Sequence, residues 1–221
     1  MALSKLTFSN STESPENFYE YLLVEYGKNQ PILIERIERG GYSRQWLFKQ
    51  IKELVDSGKL IRFDTGVYYI PTDMLFGPSL LNSRRVIELK YLTDGDDIYG
   101  YYTGITLRNG AGLTTQMPNV LEIVTNNETA KVREVLVGTQ KIRTRKPRTK
   151  ITTGNVNALQ FLELMNLMGD TALDDTERSG LKSFISKSDI TIDDVMTYVP
   201  LFPAKAMKNM MESGVIYELT Q

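Results

Sequence analysis

Hydrophobic and polar positions after Ser43 follow the repeat of an amphipathic helix. Apolar side chains recur with the i, i+4, i+7, i+8 spacing of one buried helix face. These side chains are Leu47, Ile51, Leu54 and Val55. Ser43 stands just before the run and is a good N-cap, because its hydroxyl accepts a hydrogen bond from a backbone N–H of the first turn. The pattern therefore predicts a helix from Arg44 to Val55.

Two short runs with the composition of strands follow this helix. Residues 60–63 and 67–70 are rich in side chains that favour β-structure, and residues 64–66, Asp-Thr-Gly, supply a turn between them. A shorter helix over residues 30–37 and a turn over residues 39–41 are predicted before the main helix. The resulting order of helix, turn, helix and hairpin predicts a winged helix-turn-helix domain.

The whole pattern predicts an α+β fold with two domains. Residues 1–72 form the N-terminal winged helix-turn-helix domain, which a helix over residues 15–26 completes. Residues 73–221 form a mixed domain. It has a small antiparallel sheet in the region 93–150 and a helical C-terminal region over 156–221.

Three strands are predicted in close order within the second domain. They cover residues 120–125, 131–137 and 140–146, with residues 126–127 and Gly138 marking the turns between them. Strands joined by short turns pair antiparallel with their neighbours in sequence, so an antiparallel meander is expected.

Several polar side chains on the predicted helix and hairpin are of the types that contact DNA. A helical projection places the helix members opposite the apolar face, where they can reach phosphates and base edges. The candidate DNA-binding residues are Ser43, Arg44, Gln45, Lys49, Lys52, Lys59 and Arg62. Two other interpretations stay open at this point, a solvated surface helix and a winged helix that binds only protein.

A run of positive charge occupies the last predicted strand and the residues around it. Eight of the twenty residues from Lys131 to Lys150 are basic, and Glu134 is the only acid among them. The basic residues are Lys131, Arg133, Lys141, Arg143, Arg145, Lys146, Arg148 and Lys150. This pattern fits an edge strand protected against aggregation. It fits equally a surface for an anionic partner, either nucleic acid or an acidic protein face.

Composition argues against most catalytic chemistry. The 221-residue chain has no cysteine and no histidine, which removes thiolate zinc sites, thiol nucleophiles and the usual general base. The close acidic sets stand in stretches that favour turns and helix caps over a magnesium site. They are Asp94, Asp96 and Asp97, and Asp174 with Asp175. We therefore predict no catalytic residues, no metal and no cofactor, and a protein that is not an enzyme.

Hydropathy and net charge bear on location and partners. The sequence has neither a long apolar run nor the order of a signal peptide, so we expect a cytoplasmic protein with no membrane partner. The formal net charge is −1, so any binding of nucleic acid must come from local patches of positive charge.

One long stretch of the chain resembles a known family. The segment GKLIRFDTGVYYIP, a connector and then YYTGITLRNGAGLTTQMPNVLEIVTNN resemble the AbiEi-type antitoxins of bacterial type IV toxin-antitoxin systems. The similarity covers residues 28–150. Its most specific part runs from Gly104 to Pro118, where a small-residue helix is followed by GLTTQMP and then by a strand.

The resemblance implies a transcriptional regulator of phage defence that represses its own operon. The winged domain would bind double-stranded DNA repeats at the promoter, through the helix Arg44 to Val55 and the wing. The region after it would act as antitoxin and counter a cognate nucleotidyltransferase-like toxin encoded beside it. A second interpretation stays open, a protein-interaction module or an orphan transcriptional regulator without a toxin partner.

Overall fold

The chain folds into two units, and each combines helices with strands. The computed structural model describes residues 15–38, 43–169 and 172–219. Backbone proximity divides the chain between Val86 and Ile87. Eight α-helices and four small sheets occur within the described ranges, so the predicted α+β class is confirmed.

The first unit opens with two helices around a three-stranded sheet. In chain order these elements are α1 (Pro15–Tyr26), β1 (Ile32–Leu33), α2 (Arg44–Asp56), β2 (Ile61–Asp64) and β3 (Val67–Tyr69). The strand order is β1-β3-β2 and both pairings are antiparallel. Phe18 and Leu22 of α1 share one apolar core with Leu47, Ile51 and Leu54 of α2. The predicted first helix, main helix and hairpin are therefore confirmed as secondary structure.

The predicted helix over residues 30–37 is wrong. Ile32 and Leu33 form β1 and pair with β3, and Ile34–Arg36 adds one 3-10 turn. Tertiary pairing overrides the local pattern, because both β1 side chains are almost wholly buried and β3 supplies partners for their backbone groups. The predicted turn over residues 39–41 falls outside the described ranges.

A second hairpin follows β3 and was not evident from the sequence pattern. The elements of this stretch are β4 (Asp73–Met74), β5 (Gly77–Pro78) and α3 (Ser83–Ile87). Leu75 and Phe76 form the hairpin tip, and both side chains are fully exposed. α3 continues as one π-helical turn, Glu88–Leu92.

The second unit contains a four-stranded sheet and five helices. The sheet consists of β8 (Gly100–Thr103), β9 (Leu121–Thr125), β10 (Arg133–Val137) and β11 (Gln140–Arg145). Before it, β6 (Thr93–Asp94) and β7 (Asp97–Ile98) form a separate two-stranded hairpin. The helices of the second unit are α4 (Gly104–Gly110), α5 (Val156–Leu167), α6 (Asp175–Ser188), α7 (Ile192–Tyr198) and α8 (Ala204–Glu212). Two 3-10 turns, Val199–Leu201 and Val215–Glu218, follow α7 and α8. The predicted helical C-terminal region is confirmed.

The order of the four-stranded sheet corrects the predicted meander. The order is β10-β11-β9-β8, in which β10 pairs antiparallel with β11 and β8 pairs antiparallel with β9. β11 lies parallel to β9, with Ile142 opposite Leu121. β10 and β8 are therefore the edge strands, and the edge-strand interpretation of the strongly basic strand β11 is wrong.

The segment between β9 and β10 explains this order. It does not make a tight turn, because its polar groups bond to β11 and to the residue after it. The carboxylate of Glu128 accepts a hydrogen bond from the hydroxyl of Thr144 at 2.8 Å, and the carbonyl of Ala130 accepts one from the N–H of Lys146 at 3.1 Å. These bonds hold the segment against β11, so that β10 pairs with one side of β11 and β9 pairs with the other.

α5 forms the centre of the apolar core of this unit. Eight of its twelve residues are buried, and it packs against β8, α4, α7 and α8. A helix that is buried on nearly every side needs no amphipathic stripe. The acidic sets lie away from this core, in the turn and the cap that the sequence predicts. Asp94 and Asp97 flank the β6–β7 turn, and Asp174 caps α6 together with Glu177.

Two kinds of feature are absent from residues 15–38, 43–169 and 172–219. These ranges contain no group of three or more acidic side chains placed to hold a metal ion. They also contain no helix that is long and apolar enough to cross a membrane.

Candidate functional site

The predicted DNA-contacting residues of α2 lie together on its exposed surface. Ser43 accepts a hydrogen bond from the N–H of Trp46 at 3.1 Å, so its hydroxyl caps the helix as predicted. Arg44, Gln45 and Lys49 are exposed. Lys52 is exposed as well and completes this outward row, which we call the α2 face: Arg44, Gln45, Lys49 and Lys52.

The cations of the α2 face have only weak local partners. The guanidinium of Arg44 lies 5.4 Å from the centre of the Phe48 ring. The ammonium of Lys49 lies 3.9 Å from a carboxylate oxygen of Glu53, and the Lys49 side chain is 74% exposed. Solvated pairs of this kind contribute little, so both cations can exchange these contacts for a phosphate.

The cations of the β2–β3 hairpin are held more closely. The Arg62 guanidinium donates to the carbonyl of Asp64 and to the hydroxyl of Thr65, both at 3.4 Å. The Asp64 carboxylate accepts the N–H of Thr65 at 2.6 Å and so stabilises the turn. The ammonium of Lys59 lies 5.2 Å from the ring centre of Tyr19. α2 therefore presents the more available positive charge of this unit.

Some basic residues of the segment 131–150 form ion pairs with carboxylates, and others do not. Seven of its eight basic residues are exposed and Arg145 is half-buried, but exposure does not make each of them available. Arg143 lies between two strands that each supply a carboxylate. It contacts Glu134 of β10 at 2.9 Å and Glu122 of β9 at 3.0 Å, and its hydrogen bond and charge hold the pKa of Glu134 below its ordinary value.

Arg145 pairs with a carboxylate in the core. Its guanidinium lies 2.6 Å from Oε1 of Glu163, a side chain on α5 that is only 4% exposed. The hydroxyl of Thr103 donates to the same oxygen at 3.0 Å, so this residue, at the cap position of α4, bonds to α5 instead of capping α4. Burial raises the pKa of the nearby Tyr101 hydroxyl, and the charge of Glu163 raises it further.

A groove of about 720 Å³ opens beside this pair. Its walls come from the segment before β10, the end of β11, α5 and the turn Val199–Leu201. We call it the basic groove, and its polar lining residues are Lys131, Arg145, Lys146, Arg148, Glu163 and Asn166. Four of these are cations and one is a carboxylate. The other four residues of the predicted basic surface do not line it: Arg133, Lys141, Arg143 and Lys150.

The roles of Glu163 and Asn166 in the basic groove were not predicted from the sequence. Glu163 is the only charged residue between Val156 and Met168, in a run whose other members are mostly apolar. A carboxylate in such a helix requires a cation or several donors in the folded state. That signal identifies Glu163 as a paired group, but it does not identify Arg145 as the partner, because strand and helix come together only in the tertiary fold.

Glu128 fixes the part of the chain that leads into the groove. Its Oε1 accepts the backbone N–H groups of Thr129 and Ala130 at 2.9 and 3.0 Å, in addition to its bond from Thr144. Burial raises the pKa of this carboxyl. The three hydrogen bonds and the charge of Arg133 lower it by more, so the pKa lies below its ordinary value of 4.5.

Glu128→Gln is expected to destabilise the chain at neutral pH more than in acid. Because the folded-state pKa is depressed, the carboxylate stabilises the fold fully above the ordinary pKa of 4.5, and this contribution is lost as pH falls through the lower folded value. Urea unfolding of the parent and the variant at neutral pH and at pH 3 measures the difference. A difference of equal size at both pH values would contradict the role of the charge.

Arg145→Met is expected to lower the free energy of unfolding by about 3 kcal/mol, because it leaves a buried carboxylate without its cation. The double variant Arg145→Met, Glu163→Met also removes the unpaired carboxylate and should recover most of this loss. Arg143→Met is the matched control, since its ion pairs are solvated, and should cost less. Urea unfolding followed by circular dichroism makes the comparison. A double variant no more stable than Arg145→Met would contradict the pairing argument.

Comparison with known proteins assigns no family to the chain. No protein-family model matches it, and no curated protein is significantly similar to it in sequence. The likeness to AbiEi-type antitoxins therefore stays a prediction that rests on the residues quoted for it.

Proposed function

We propose that this protein is a non-enzymatic, DNA-binding transcriptional regulator whose first unit is a winged helix-turn-helix domain. In this proposal α2 enters the major groove with the α2 face toward the base edges and the phosphates that flank them, and Lys59 and Arg62 hold phosphates from the hairpin. The observation that carries the proposal is the α2 face itself, three exposed cations and one amide on a capped helix. Side chains of these types read base edges and neutralise phosphates.

The surroundings of α2 support the same proposal. The helix is followed at once by the β2–β3 hairpin, and β1 pairs with β3 on the side away from β2. This arrangement holds a helix and a hairpin on one small core, as a winged domain requires. Because the hairpin cations have local partners, we assign the larger part of the DNA contact to α2.

We further propose that the chain acts as an antitoxin in the bacterial cytoplasm. The likeness of residues 28–150 to AbiEi-type antitoxins supports this part, and it implies promoter repeats of the protein's own operon as the DNA target. It also implies a cognate nucleotidyltransferase-like toxin encoded beside it. The lack of cysteine and histidine agrees with a regulator that performs no chemistry of its own.

Lys49→Ala combined with Lys52→Ala is expected to weaken binding to the upstream promoter fragment and to make it less sensitive to salt. Each lost phosphate contact lowers the slope of log affinity against log salt by about 0.9, so two lost contacts lower it by about 1.8. Gel-shift titrations over a series of salt concentrations measure both quantities.

A matched control for this experiment lies on α8. Lys205 and Lys208 are exposed and have the same spacing, and Lys208 pairs with Glu212 as Lys49 pairs with Glu53. Lys205→Ala with Lys208→Ala therefore removes the same charge from a surface outside the proposed site. If the two double variants bind equally well with equal slopes, the assignment of α2 is refuted.

The antitoxin proposal predicts rescue of growth. Expression of the neighbouring reading frame from an inducible promoter should arrest growth, and coexpression of this chain from a second promoter should restore it. The Lys49→Ala, Lys52→Ala variant should rescue as well as the parent, because independent promoters remove any effect of repression. Growth curves measure the rescue. Failure of the parent chain to restore growth would exclude the antitoxin role and leave the DNA proposal standing.

A further inference from the structure

The basic groove has features of a ligand site in addition to its charge. Its volume of about 720 Å³ falls in the range of about 300–1,000 Å³ that is typical of small-molecule pockets. It lies wholly within the second unit and is formed by four segments that are distant in sequence. The groove does not depend on the proposed DNA contacts, because the α2 face belongs to the first unit.

Two of the four groove cations are held in position by the protein. Arg145 is fixed by its pair with Glu163. The guanidinium of Arg148 lies 5.0 Å from the ring centre of Phe202, and one of its nitrogens lies 3.5 Å from the carbonyl of Leu201. Guanidinium groups that are already oriented bind a phosphate at a smaller loss of side-chain entropy than free ones do.

The other two groove cations are solvent-accessible lysines. Lys131 and Lys146 are exposed and carry compact charges on flexible stems, which suits them to follow a phosphate group. Glu163 neutralises only one of the four cations. The groove therefore keeps a positive excess at the mouth, where an anion can be held.

The wall of the groove also carries two polar side chains of α5. Oε2 of Glu163 has no hydrogen-bond partner among the described residues, but it has almost no solvent-accessible surface, so a ligand in the groove does not reach it. Asn166, half-buried on the same wall, adds an amide with both a donor and an acceptor.

We propose that the basic groove binds a nucleoside monophosphate. Lys131, Lys146 and Arg148 hold the phosphate at the mouth, and the amide of Asn166 bonds to the edge of the base. A lone phosphate would leave Asn166 without a ligand contact and most of the groove volume empty. A nucleotide supplies the anion, a polar edge for Asn166 and the bulk in one molecule.

Isothermal titration calorimetry of the full chain with AMP, GMP, CMP and UMP tests the proposal. Inorganic phosphate and ribose 5-phosphate serve as comparison ligands, because they have the anion without the base. At least one nucleotide should bind at least tenfold more tightly than either comparison ligand, because its base bonds to Asn166 and fills groove volume that neither comparison ligand fills. If no nucleotide binds, or if ribose 5-phosphate binds equally well, the proposal is wrong.

Substitutions then locate the site. Arg148→Ala should weaken nucleotide binding at least tenfold, and Lys150→Ala is the matched control, an exposed cation of the same segment that does not line the groove. Asn166→Ala should reduce the preference for the nucleotide over ribose 5-phosphate, and it leaves the Glu163–Arg145 pair in place. Circular dichroism confirms that each variant is folded. Equal affinities in Arg148→Ala and Lys150→Ala would place any binding elsewhere and overturn the proposal.

Discussion

The second unit is arranged around one carboxylate that lies inside an apolar core. Glu163 sits on a helix whose neighbours are buried leucine, phenylalanine and methionine side chains, and an isolated charge there is very costly. The fold meets this cost by bringing two strands to the helix. β8 contributes the hydroxyl of Thr103 and β11 contributes the guanidinium of Arg145. The contact of α5 with the sheet is thus electrostatic as well as apolar, and it fixes which end of β11 lies beside the helix.

The same pairing shows why the charge of a segment is a poor guide to its surface. Every second residue of β11 from Lys141 to Arg145 is basic, yet the strand lies inside the sheet, where its neighbours supply acids. Arg143 is matched on both sides and Arg145 from the helix. The positive excess of the basic groove comes from Lys131, Lys146 and Arg148, which lie outside the strand. On α2 the situation is different, because its cations face solvent and have only the weak partners that one helix provides.

Local features of the fold could be predicted from the sequence, and the pairing of distant segments could not. The cap at Ser43, the apolar spacing of α2 and the turn at residues 64–66 all act over a few residues. The segment 30–37 has a helical local pattern and was wrongly predicted as a helix. Ile32 and Leu33 pair instead with β3, which lies more than thirty residues later in the chain. The basic groove shows the same difference between local and distant features. Its basic residues were evident in the sequence, while Glu163 and Asn166 join them only through the tertiary fold.

The insertion of β11 between β9 and β10 has a consequence for how the sheet comes apart. β10 and β8 are each bonded on one side only, but β8 also packs against α4 and α5. β10 is therefore the strand that can detach and close again while the rest of the sheet stays intact. β11 is bonded on both sides. Its release would break the sheet in two and leave the carboxylate of Glu163 in α5 without its cation. Local opening should therefore begin at β10, and the amide hydrogens of β11 should exchange with solvent only when the whole unit opens.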